Sequence, residues 1–457
     1  MKIQKKKSKG QIIPLGIFCL SLVTLMIIIL YNTGQTQHEK IHAANIADAA
    51  AYSGLTFQGR SLNYIAYTNR AMIANQVSIG QIVSLSSWLE YSSEVNESIE
   101  FVLRLIPHPA AQNAARVFKS IAKVLDTIEL TLGPIITLVN GFNVMTHASQ
   151  KIVANSTALE TPLVINHVIT SFDPRYSLSN VGKVWVGVNA YDWLQFIQYS
   201  DSLDDIKMKA ELIRASQDPW INRRYNKSLE TPDLGPAVPQ LWFQKDGMTQ
   251  LIYDNGWKWE AREGGSVFVE WLDFSWTGIR RKKREVFPAG YANKILKEDN
   301  PVSYPSEQDD AFGTNNQDNS IYFDQDEYWL TTKRAESWGL ADPDEINAYY
   351  SGVQGLYQLE NKSTAQKDNE LALAIEVDLK KDQLPIRSEL LDSNNSTETQ
   401  KPKLSAISQA RLFFQRPDTR QDGRIEYANL FNPYWQVRLT SPDSKRSAAW
   451  LGKGLSL

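Results

Sequence analysis

Residues able to do chemistry are few and scattered in this chain. All five histidines (His38, His42, His108, His147, His167) fall in the first 167 residues. His38 and His42 stand four apart, a spacing that puts both on one helix face, yet only Glu39 accompanies them. That favours a solvated pair near a membrane surface over a metal site. Five carboxylates (Asp254, Glu260, Glu263, Glu270, Asp273) lie among Trp257, Trp259, Trp271 and Trp276. Carboxylates beside tryptophans are the ingredients of glycoside hydrolysis, but no spacing fixes a pair, and core aromatics explain the tryptophans more simply. The acidic tract Asp309, Asp310, Asp318, Asp324, Asp326 and Glu327 lacks the glycine and terminal glutamate of a calcium loop, so it reads as a solvated loop. Arg280–Arg281–Lys282–Lys283–Arg284 reads as a solvated turn, with anionic lipid as the competing partner. No nucleophile elbow, P-loop, zinc-protease or dinucleotide motif occurs. The expectation is therefore a non-enzymatic protein with no catalytic residues, no cofactor and no metal.

The elements that carry these residues begin with a membrane signature. Lys2, Lys5, Lys6, Lys7 and Lys9 precede an uncharged run from Ile12 to Tyr31. At 1.5 Å per residue such a helix covers about 30 Å, the hydrocarbon thickness of a bilayer. The charge asymmetry predicts a cytoplasmic N-terminus (1–11), a span over 12–31, and an exported remainder. A cleaved secretory signal with a cut near Ala43–Ala44 is the rival reading. The run is longer than the usual hydrophobic core of such a signal, so a retained anchor is expected. The single cysteine, Cys19, lies inside the run, which leaves the exported part without thiol, disulfide or Cys-ligated metal. A net charge of −3 argues against nucleic acid as a partner.

Beyond the span the sequence predicts α+β architecture. Residues 37–105 are alanine-rich and free of proline, and read as one helix. Ala43, Ala47 and Ala51 fall four apart on one face, where small side chains admit a close helix neighbour. A second helical tract over about 109–169 is broken at Gly133–Pro134 and is expected to pack back on the first as a hairpin. A helical stalk thus covers 32–171. The character changes at Phe172–Asp173–Pro174, and twelve of the thirteen tryptophans lie beyond it. Runs such as LWFQ, TQLIYDNGWKWEA and SVFVEWLDFSW predict an antiparallel, aromatic-rich β domain over 172–457. Gly264–Gly265 is expected to make a tight hairpin turn. Polar stretches at 298–320 and 392–403 are expected to be inserted loops.

The N-terminal pattern resembles a known family. GQIIPLGIFCLSLVTLMIIILYNTGQ followed by HEKIHAANIADAAAYSG is similar to TadE/TadG-type Flp (tight-adherence) pilus-assembly proteins, in which a membrane helix runs into an N-A-A-D-A-A-A-type motif. Asn45, Ala47, Asp48, Ala49, Ala50 and Ala51 match it, with Ile46 in place of a small residue. LNYIAYTNRAMIANQVSIGQ, ASQDPWINRR, KDGMTQLIYDNGWKWEA and ANLFNPYWQVRL resemble a subgroup of large TadG-like members. The specific part covers about residues 10–82. Prepilin-like members are cut after a glycine with a glutamate five residues beyond. Gly10 fits the first requirement, but Leu15 stands where that glutamate would be, which puts processing at Gly10 in question. The resemblance implies an inner-membrane, single-pass protein with a periplasmic bulk. Its role would be pilus assembly, anchoring or secretion. The bilayer and pilin-like or pilus-secretion proteins would be its partners, met across Ala43, Asn45, Ala47, Asp48 and Ala51. A membrane-tethered carbohydrate-binding protein or glycoside hydrolase built on the tryptophan-rich half is the competing reading.

Overall fold

The computed structural model describes residues 12–200, 203–222, 227–230, 240–253, 256–275, 278–301, 343–360, 370–379 and 404–442. Gly10, the acidic tract at 309–327 and the polar stretch at 392–403 lie outside them, as does the stretch at 298–320 beyond Pro301. The elements in chain order are α1 (Ile12–Arg104), α2 (Pro109–Glu129), α3 (Leu132–Phe172), β1 (Tyr176–Leu178), α4 (Asn180–Phe196), β2 (Ile197–Ser200), α5 (Leu203–Ser216) and α6 (Pro219–Asn222). There follow β3 (Lys227–Glu230), β4 (Gln240–Tyr253), β5 (Trp257–Ser275), β6 (Gly278–Lys297), β7 (Asp344–Glu345), β8 (Leu356–Leu359), β9 (Leu371–Leu379), β10 (Leu404–Phe414) and β11 (Trp435–Thr440). The chain is α+β, a long N-terminal apolar helix followed by helices and mainly antiparallel sheets.

Two compact units divide it, one made of residues 1–66, 151–198 and 358–457, the other of 67–150 and 199–357. Helical and strand segments are thus interleaved in both units, and neither is purely stalk or purely sheet.

In the first unit the sheet order is β1-β9-β10-β11, antiparallel throughout. β9 (LALAIEVDL) is buried along nearly its whole length, as expected of a strand covered on both faces. α1 lies directly on it. A Cβ on Gly54 would stand 2.9 Å from both Ile165 Cγ1 and Leu373 Cδ2, and one on Gly59 would stand 3.0 Å from Leu412 Cδ1. Ser179 caps α4 by accepting from the Gly182 amide at 2.9 Å, and its hydroxyl donates to the buried Glu376 at 2.6 Å.

In the second unit β3-β4-β5-β6 are antiparallel and β7 joins β6 in parallel. Here the Gly264–Gly265 expectation is overturned. Both residues sit in the middle of β5, paired with Asp246 and Lys245 on one side and with Tyr291 and Gly290 on the other. Gly256, at φ +133°, stands instead in the connection between β4 and β5. The glycines serve close approach, because α1 rests on this sheet. A Cβ on Gly265 would fall 2.5 Å from the Tyr91 hydroxyl, one on Gly290 2.9 Å from the Tyr91 carbonyl, and one on Gly80 2.7 Å from the Trp259 ring.

The helices form as expected, but Gly133 and Pro134 lie inside α3 and the break expected there falls just before them. α1 ends at Arg104, and His108 caps α2, its Nδ1 accepting from the Ala110 amide. The break before α3 falls at Leu130–Thr131, with Pro134 in the first turn, where a missing amide hydrogen costs nothing. α2 and the start of α3 return along α1, joined by Ser93 Oγ to the Ala122 carbonyl and by Asn75 Nδ2 to Asn143 Oδ1 at 2.9 Å. α3 ends at Phe172, where the composition changes.

Candidate helix-packing site

Among the described residues one helix, α1, is long and apolar enough to cross a membrane. From Ile13 to Tyr31 every residue is exposed, so no face of this stretch is covered by the rest of the chain. That is consistent with a single-pass membrane protein, since an uncharged, predominantly apolar stretch of this length left bare on all sides needs a lipid surround. Cys19 is exposed within it.

The same helix carries the expected packing site into the first unit. Ala43, Ala47 and Ala51 do share a face, and all three are completely buried. Ile46, Ala50, Leu55 and Leu62 widen that face into a core. The small side chains let α1 sink between α3 and the β9–β10 surface, as the Gly54 contacts with Ile165 and Leu373 show. The alanine face is therefore occupied inside this chain. Asn45 points to the opposite, exposed side, and Asp48 is half-buried at the margin. Tyr52, 46 % exposed, continues the outer side two turns beyond Asn45. Of the five expected interface residues, the fold brings the three alanines together and sets Asn45 apart from them.

A charged corner that sequence spacing does not announce lies just before this site. Glu39 is buried, yet its carboxylate takes the Tyr176 hydroxyl at 2.7 Å and Arg175 Nη1 at 3.3 Å. Arg175 also grips Asp173 with Nε and Nη2, and His42 Nε2 stands 3.4 Å from the same carboxylate. The Arg175 hydrogen bonds hold the Asp173 carboxyl below the usual carboxylate range. Burial, with the Glu39 carboxylate beside it, pushes the Tyr176 hydroxyl well above the usual tyrosine range. His38 stacks on His42 with ring centroids 6.4 Å apart, so the pair joins an ion-pair corner and is not merely solvated. The corner fastens the helix to the turn that follows α3. Among the described residues no group of three or more His, Cys, Asp or Glu is placed to hold a metal ion.

The second unit holds another charged cluster. Lys294, nearly buried on β6, pairs with Asp344 and stands 3.4 Å from Glu90 and 3.5 Å from Glu129. Ser86 donates to Glu129 at 2.6 Å, and Glu94 takes the Tyr291 amide at 2.6 Å. One lysine among three carboxylates leaves excess negative charge. Burial lifts Glu90 to about 7, so near neutrality this group carries a proton for part of the time. The cluster ties α1 and α2 to the edge of the sheet.

The carboxylate–tryptophan set does not assemble a sugar platform from its described members. Trp257 and Trp259 are core residues, Trp259 lying over Gly80 and Trp257 packing edge-on against Tyr253. Glu260 pairs with Arg262, and Glu263, fully enclosed, lies 3.6 Å from Lys245. Asp254 and Trp276 lie outside the described residues, as do the side chains of Glu270, Trp271 and Asp273. The basic run Arg280–Arg284 belongs to β6, paired in register with Val269–Asp273 of β5, and is strand where a turn was expected. His108 is a helix cap, His147 is buried 3.3 Å from the Tyr199 hydroxyl, and His167 is exposed.

Comparison of the chain with protein-family models, with curated proteins and with solved structures gives no match.

Proposed function

We propose that this chain is a single-pass inner-membrane protein that assembles, anchors or helps secrete a Flp-type pilus, with its N-terminus in the cytoplasm and its aromatic-rich bulk in the periplasm. The observation that carries the reading is the unbroken helix α1. Its bare apolar start, Ile13–Tyr31, runs without interruption into the segment holding the Asn45–Asp48 motif that resembles TadG-like proteins. A helix of this kind presents a continuous surface, first to lipid and then to a neighbouring pilin-like helix. With the alanines turned inward, that surface is the side of Asn45 and Tyr52.

The test is in-cell crosslinking of the full-length protein from a photoreactive residue at position 45, followed by mass spectrometry of the trapped neighbours. Capture of pilin-like or pilus-secretion proteins is the expected result. Capture of lipid alone, or of envelope proteins unrelated to pili, overturns the proposal.

A further inference from the structure

Helix α3 buries many polar side chains and leaves many large apolar ones outside. On its buried side lie Asn140, Asn143, His147, Gln150, Thr157 and Thr161, interspersed with Ile136, Ala154, Ala158 and Ile165. On the opposite side Leu138, Phe142, Met145, Ile152, Leu159 and Leu163 stand between 55 and 75 % exposed. A helix that needed only to pack on its own chain would not leave six large apolar side chains outside. Hydrogen bonds reach part of this polar row, while Asn140 Nδ2 and Asn143 Nδ2 are buried and make none among the described residues. Thr157 Oγ1 donates to Ser61 at 2.8 Å, Gln58 Nε2 donates to Thr161 at 3.4 Å, Gln150 Nε2 donates to Asn69 at 2.9 Å, and Ser351 donates to Asn140 at 2.9 Å. The outer row has no such account within the chain.

We infer that this outer row is a coiled-coil seam through which two copies of the chain associate side by side. The spacing is the first argument. Leu138, Phe142, Met145, Ser149, Ile152, Ser156, Leu159 and Leu163 alternate steps of four and three without a fault, the 3.5-residue period by which one helix seats its side chains between those of another. A lipid-facing surface has no need of that period. Charge is the second argument. The flanking positions Val139, Gly141, Thr146, Ala148, Val153 and Asn155 carry none, and Glu160 of one copy would face Asn155 of the other in a parallel pair. An identical helix therefore meets no like charge. Area is the third. Six large apolar side chains at these exposures offer on the order of 800 Å² on each copy, the size of one side of a standard stable interface. A single N-terminal span gives every copy the same direction in the membrane, so the pair is parallel and its two-fold axis stands along the membrane normal. The inference is independent of which pilus protein, if any, meets α1.

The experiment uses the full-length protein with Cys19→Ser, so that an introduced thiol is the only one. Ser156→Cys places a thiol on the seam with little change in volume, and Lys151→Cys places one off it. On mild oxidation in native membranes the first should form a disulfide-linked dimer and the second should not. The double variant Met145→Glu, Leu159→Glu should weaken association on the order of a hundredfold, read as mass by light scattering in micelles, with the helical circular dichroism unchanged. Failure of Ser156→Cys to link to its counterpart overturns the inference, as does equal linking by Lys151→Cys. So does monomeric mass of the unsubstituted protein, or photolabelling of this face by lipid alone.

Discussion

Replacing Gly265 by alanine tests whether helix α1 truly rests on the middle of β5. The new methyl carbon would stand 2.5 Å from the Tyr91 hydroxyl oxygen and 3.1 Å from both Tyr91 Cε2 and Phe243 Cζ. Tyr91 is buried and has little room to yield. Overpacking of this kind costs about 1–3 kcal/mol, while alanine in place of glycine inside a regular element recovers about 0.5–1 kcal/mol. The net expectation is a loss of about 0.5–2 kcal/mol, or roughly 1–8 °C in melting temperature for a body of this size. Tyr91→Phe removes the nearest atom. In that background Gly265→Ala should cost about 1 kcal/mol less, because the two changes act on one contact. The assay is thermal unfolding of the four full-length proteins in micelles, followed by tryptophan fluorescence. Equal losses in both backgrounds would refute the reasoning, because then the glycine serves something other than the tyrosine.

The remaining predictions concern the charged groups and the alanine face. Ala47→Leu, at a fully enclosed position, should destabilise the first unit by about 1–3 kcal/mol, whereas Asn45→Lys should leave the melting temperature unchanged and affect only partner capture. Arg175→Met leaves the buried Glu39 without its cation. After allowance for the half-exposed arginine it should cost about 1–3 kcal/mol, largely recovered by adding Glu39→Gln, as thermal melts of the single and double variants would show. Glu90 holds its proton more tightly folded than unfolded, so its contribution is complete below about pH 4.5 and is lost as pH rises through 7. Glu90→Gln should flatten the fall in melting temperature between pH 5 and 8. Asp173 works in the opposite sense: its low folded value contributes above the unfolded range and is lost on acidification below about pH 4, a slope that Asp173→Asn should remove.

Local signals were readable where local physics decides. The bare span, the long proline-free helix and the change at Phe172 follow from composition and backbone constraint and stand where expected, while the break expected at Gly133–Pro134 falls just earlier, at Leu130–Thr131. The sequence cannot place Gly264–Gly265, because a glycine pair serves a turn or a close contact equally well and the partner Tyr91 lies more than 170 residues away in the chain. The alanine face was legible as a close-packing surface, but spacing cannot say whether the neighbour is another protein or this chain's own Ile165 and Leu373. The Glu39 corner is not legible from spacing for a similar reason, since it joins residues some 135 positions apart. In α3 both rows of the 3.5-residue pattern are visible in the sequence. Which row turns inward depends on hydrogen-bonding partners on α1 and on the segment around Ser351.

The polar lining of α3 has a thermal consequence. Contacts made by burying hydrocarbon weaken on cooling, because unfolding them raises the heat capacity, whereas exposing polar groups lowers it. Where Ser61 meets Thr157, and where Asn69 meets Gln150, the helices are joined by bonds of the second kind. Their grip should vary little with temperature, and these junctions should stay closed in the cold while the apolar sheet cores loosen first.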